Sequence, residues 1–115
     1  MLTHVVLFWT KPALSAVEHQ DFQTGLLSLP AISSVSTGWV GTPSATNRPV
    51  IDRSYAFALT LRFEDIAAHD AYQVDPVHDA FHDRCEKYWA KVVVYDYDDL
   101  GADSAAAVAA TAVPV

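Results

Sequence analysis

Cysteine is nearly absent from this chain: Cys85 stands alone among 115 residues. No internal disulfide can form, so a reducing, cytoplasmic setting is the expectation. Basic residues are scarce too. Seven Lys and Arg stand against fourteen Asp and Glu, a formal net charge of −7, and a phosphate-rich partner would be repelled by that field. No basic patch interleaved with aromatics offsets it, which argues against nucleic acid and anionic membrane surfaces as partners. Long hydrophobic runs are also missing: no stretch approaches the ~20 residues of a membrane helix. The opening segment, Met1 to Trp9, has no basic start and is interrupted by His4, so it does not read as a signal peptide.

What is present suits a soluble globular domain. Hydrophobic residues make up 51% of the chain, enough for one core without staples. Thr3 to Trp9 is β-branched and aromatic and reads as a strand, with His4, Val6 and Phe8 on one face and Val5, Leu7 and Trp9 on the other. Ser15-Ala-Val-Glu18 has the form of a capping box. It predicts a helix with Val17, Phe22, Leu26, Leu27 and Leu29 on an apolar stripe, stopped by Pro30. Ile32 to Val40 is a weaker strand pattern, and 41–53 reads as a long loop. Tyr55 to Phe63 alternates cleanly. Asp65 caps a helix through Tyr72, Pro76 restarts one to about Lys87 with Phe81, Cys85 and Tyr88 inward, and Trp89 to Tyr97 is the last strand.

The order β-α-β-β-α-β is the split βαβ arrangement of ferredoxin-like α+β domains. Helices cover one sheet face only, while apolar side chains point to both. The second face therefore calls for burial in a homodimer. Residues 1–100 form the domain, and the alanine-rich segment 101–115 reads as a disordered tail or a loose helix.

Candidate chemistry concentrates in Tyr72-Gln-Val-Asp-Pro-Val-His78-Asp-Ala-Phe81 and Val92-Val-Val-Tyr-Asp96-Tyr97. A histidine is the default base near neutral pH, a carboxylate can fix its tautomer, and a phenol can donate to a developing enolate oxygen. The same trio fits a structural role: a His78–Asp96 hydrogen bond would fasten helix to sheet, and losing either group would cost about 1–3 kcal/mol. His78 and His82 at i and i+4 have the spacing of a zinc pair. No clear third ligand follows, and Phe81 and Cys85 turn the buried face away from His82, so no metal or cofactor is expected. Cys85 reads as a small buried hydrophobe, and His19 and His69 as solvated.

The segments His4-Val-Val-Leu-Phe, Leu29-Pro-Ala-Ile, Asp75-Pro-Val-His78-Asp-Ala-Phe81 and Val94-Tyr-Asp96-Tyr97 resemble the stress-responsive α/β-barrel (Dabb) domain family over residues 2 to about 98. The resemblance implies a ferredoxin-like homodimer whose sheets form a barrel, and for many members no established reaction. The chain is also similar to one member type, the plant olivetolic acid cyclase, which closes a linear polyketide by aldol condensation. That similarity implies Tyr72 and His78 as catalytic residues, with Asp96 orienting the histidine. His4, Val6, Phe57, Leu59 and Trp89 become candidate substrate-binding residues, Phe57 standing where that enzyme has a histidine. Two functions follow. One is a dimeric domain without catalysis, with a small apolar pocket near His78. The other is a small-molecule enzyme, cyclase- or isomerase-like, using His78 as general base.

Overall fold

Period-two alternation puts one face of every strand into a common core. The structure is a computed structural model that describes residues 1–100; the alanine-rich segment lies outside the described residues. β1 (Leu2–Thr10) is central. It pairs antiparallel with β3 (Phe57–Phe63) on one side and β4 (Trp89–Asp98) on the other. β2 (Thr37–Gly41) pairs with β3, giving the order β2-β3-β1-β4. The register stacks Phe57–Phe8–Val92, Leu59–Val6–Val94 and Leu61–His4–Asp96 in rows across the sheet. Those rows face the helices.

Helix starts are fixed by side-chain caps. At α1 (Ala16–Leu27), the Ser15 hydroxyl accepts from the Glu18 N–H at 3.1 Å, and the Glu18 carboxylate accepts from the Ser15 N–H at 3.0 Å. Asp65 accepts from the Ala68 N–H at the head of α2 (Ile66–Gln73). Asp75 accepts from the Val77 N–H at the head of α3 (Pro76–Cys85), where Pro76 occupies a position whose N–H has no helical partner. Phe22 of α1 is fully buried, its ring 5.4 Å from Phe8, 5.2 Å from Phe57 and 6.0 Å from Tyr88. Gly25 lets α1 approach α3: a Cβ there would stand 2.6 Å from the Cys85 sulfur. Across this contact Arg84 pairs with Asp21, which also accepts from the Tyr88 hydroxyl at 2.8 Å.

Four elements differ from the sequence expectation, one being β3, which begins at Phe57 rather than Tyr55. β2 begins at Thr37 rather than Ile32, because Val35 N–H bonds back to the Ile32 carbonyl and turns the chain there. Val17 and Leu27 are exposed, since α1 buries only the stripe through Phe22, Gly25 and Leu26. Cys85 and Tyr88 are inward as expected, but the helix ends at Cys85 and a short 3-10 turn, Glu86–Tyr88, leads into β4.

The second sheet face carries Val5, Leu7 and Trp9 of β1, Trp39 of β2, and Val93, Tyr95 and Tyr97 of β4. Trp39, Tyr95 and Tyr97 are each more than half exposed, at 54%, 60% and 55%. No described helix covers them.

Candidate functional site

A cavity of about 330 Å³ opens where β4 overhangs α2 and α3. Its floor is the sheet rows: His4, Val6 and Phe8 of β1, Leu59 of β3, Val92 and Val94 of β4. Its wall is helical, with Tyr72 and Gln73 ending α2, and His78, Phe81 and His82 on α3. Trp89 closes one end, its ring 5.8 Å from Phe81 and 5.2 Å from His82. The size and the mainly apolar lining with a few polar groups are those of a small-molecule site.

Tyr72 and His78 meet because α2 ends at Gln73 and α3 starts at Pro76, so a six-residue separation becomes a corner. Their rings lie 4.8 Å apart, edge to face. Neither side chain has a hydrogen-bond partner among the described residues. Burial, then the neighbouring His82, pushes the His78 pKa below its ordinary value of 6.5. The ring is thus neutral near pH 7 and has a free nitrogen. Burial also drives the Tyr72 phenol well above its ordinary range, leaving it a neutral donor. A neutral base beside a neutral donor can remove a proton and stabilise the oxygen charge that develops.

Asp96 departs from the expectation. It accepts from Nδ1 of His4 at 2.5 Å, not from His78. The two residues are direct partners in the β1–β4 register, and the pair sits within the sheet rather than joining helix to sheet. A His78 fastening is therefore corrected to a His4–Asp96 bond that pins the β4 edge to the central strand. His4 is 4% exposed. Replacing Asp96 with alanine leaves a buried N–H without its acceptor, so Asp96→Ala should cost about 1–2 kcal/mol in chemical denaturation. An unchanged midpoint and slope would show that the bond contributes nothing.

His4, Val6, Leu59 and Trp89, the candidate substrate-binding residues, all line the cavity. Phe57 does not: it is 1% exposed, held between Phe22 and His19. His82 lies off the buried face as expected, its side chain half exposed, but it also lines the cavity and pairs with Glu86 at 3.3 Å. The i, i+4 spacing from His78 is the signal that would have found it. His69, expected to be solvated, rests edge-on against His4 at 5.2 Å and Phe63 at 5.5 Å. Its three-residue offset from Tyr72 places both on one face of α2. Cys85 is buried, and burial pushes its thiol up, away from nucleophile chemistry.

Solved structures share this architecture. A Dabb family protein with a ferredoxin-like fold from Mesorhizobium loti is 31% identical with a TM-score of 0.70, the match covering 87% of this chain and 97% of that one. A dimeric ferredoxin-like protein of unknown function from Thermobifida fusca is 22% identical, TM-score 0.70, over 84% and 88% of the two chains. A hydroxynitrile lyase from Passiflora edulis is 21% identical, TM-score 0.68, over 84% and 90%. No curated protein matches the chain significantly. The model of the Dabb stress responsive A/B barrel domain matches residues 2–99, which is the whole sheet and every helix described above. The chain belongs to that family.

Proposed function

We propose that this Dabb domain is a homodimer that binds a small apolar carbonyl compound in the cavity beside His78 and transfers a proton on it. The observation that carries this reading is the pair of unbonded rings, Tyr72 and His78, set in a 330 Å³ apolar cavity open at the β4 edge. A histidine serving only as a fastener would be hydrogen-bonded. In the reaction, His78 takes a proton alpha to the carbonyl, and Tyr72 donates to the enolate oxygen. Val6, Leu59, Phe81 and Trp89 hold the apolar body and keep water from the carbanion.

The Passiflora lyase shares the fold at low identity, and cyanohydrin cleavage also begins with removal of a proton. Cyanohydrins are accordingly the second substrate class to offer. The experiment is deuterium incorporation at the alpha carbon of an aryl methyl ketone in D2O, followed by NMR with and without the protein. Exchange at the buffer rate, together with no shift in melting across a ketone and aldehyde panel, would leave a domain without catalysis.

The pH dependence has a definite sign. His78 faces Tyr72 of α2, His82, Asp79 and the cap residue Asp75 along its own helix, and His4 of β1. The net effect, led by burial, lowers its pKa, so the base form persists as pH falls through 6.5. The acid limb of the exchange rate should fall below that value. His82→Ala removes a neighbour that depresses the pKa and should move the limb up. A limb at or above 6.5 in the unaltered protein would contradict the assignment of His78.

A further inference from the structure

A second cluster adjoins the cavity at His4. His4, His69 and Asp96 each offer a ligand atom, and these atoms all lie within 4.8 Å of one another. We propose that the three form a site for a divalent cation of the zinc class.

The donor set selects that class. Two imidazoles and one carboxylate suit zinc and its first-row neighbours, whereas calcium and magnesium prefer oxygens alone. Zinc bonds to such ligands are about 2.0–2.2 Å, so a bound cation would draw the outermost donors in by about 1 Å. The required movement falls on the more accessible members: side-chain exposure is 6% for His4, 18% for His69 and 43% for Asp96. His4 is the fixed anchor on the central strand, and the cation would replace the proton it shares with Asp96.

Two further features belong to a metal site rather than to a chance cluster. The Asp70 carboxylate lies 3.1 Å from Nδ1 of His69. It accepts from that nitrogen and leaves Nε2 for the cation, the carboxylate–histidine–metal relay that fixes ring orientation. The second is an entry path. A groove of about 400 Å³, lined by His69, Asp70, Asp96, Tyr97 and Asp98 among others, opens on the cluster, and its carboxylates concentrate cations at the mouth. Three protein ligands leave at least one position open to water or an anion. The spacing of His78 and His82 is that of a zinc pair, but their rings lie 6.3 Å apart along the other cavity, with no third ligand among the described residues. The His4–His69–Asp96 site uses neither, and it stands whether or not His78 is a base.

The test uses tag-free full-length protein, zinc chloride as the only added metal, desalting, and metal analysis by mass spectrometry with titration calorimetry. One zinc per chain is expected. His69→Ala should lose it, and Asp70→Asn, at an exposed position, should weaken it by about tenfold. Cobalt(II) bound in its place should give the intense visible absorption of a low-coordinate nitrogen–oxygen site in the unaltered protein and not in His69→Ala. Melting curves identify variants that remain folded, and Asp70→Asn serves should His69→Ala unfold. Zinc absent from the unaltered protein would overturn the proposal. So would zinc retained by folded His69→Ala, or zinc lost from His78→Ala and kept by the His69 and Asp70 variants.

Discussion

His78→Ala should remove the alpha-proton exchange catalysed by the protein, a loss of about 10²–10⁴-fold, while the melting temperature stays close to that of the unaltered chain. The two halves of that expectation come from one fact: His78 is half-buried in the cavity wall and hydrogen-bonded to nothing among the described residues. Its loss removes a ring contact with Tyr72 at 4.8 Å and no bond. Tyr72→Phe is the partner experiment. Tyr72 is 2% exposed, so phenylalanine preserves the core packing and deletes only the hydroxyl. The exchange should drop by about 10²-fold if the hydroxyl stabilises the enolate oxygen. NMR rates for both variants, set beside their melting curves, separate chemistry from fastening. Equal exchange in His78→Ala and the unaltered protein would remove His78 as the base. A melting loss as large as that expected for Asp96→Ala would restore a structural role.

The contrast between these two substitutions shows what could be read from the sequence. The Tyr72–His78 pair is local: two short helices meeting at Pro76 bring positions six apart together, so capping residues and a proline predict the corner. The partner of Asp96 is not local. His4 and Asp96 are 92 residues apart and touch only because β1 and β4 pair in one particular register. A slip of two residues would keep every apolar side chain on its face and still give Asp96 another neighbour. The alternation from Tyr55 to Phe63 is legible because its inward residues are aromatic or aliphatic; the four from Phe57 onward are buried, while Tyr55 falls outside the strand. That pattern does not tell cavity floor from core: Leu59 lines the cavity, whereas Phe57, two residues away, is sealed under α1. His82 is off the buried face, as its position suggests, and half exposed, yet it also lines the cavity. Helix α3 meets the core through Phe81 and Cys85 and a cavity through His78 and His82, so two neighbouring faces are occupied where the apolar pattern marks one.

Tyr95→Asp should convert a dimer into a monomer that keeps its fold. Tyr95 lies opposite Val5 in the register, on the sheet face that no described helix covers, next to Val93 and Tyr97 on the same strand. In one chain it is 60% exposed, so a carboxylate there meets water and costs the monomer little. Against a second sheet the same carboxylate would be buried among valines and aromatic rings without a partner. Even about 3 kcal/mol of that penalty raises the dissociation constant more than 100-fold. A face that carries Trp9, Trp39, Tyr95 and Tyr97, with Trp39, Tyr95 and Tyr97 each more than half exposed, is an apolar patch of the kind that usually marks an interface. Sedimentation velocity at micromolar concentration should give a dimer for the unaltered chain and a monomer for Tyr95→Asp, with matching far-ultraviolet spectra. A variant that remains dimeric would place the interface elsewhere, on the helices or the β2 and β4 edges. A folded monomer from the unaltered chain would mean that the sheet face is stable in water without a partner. The cavity side carries its own control: Val94 points to the helices, not to this face, so Val94→Asp should disturb ligand binding and leave the dimer intact.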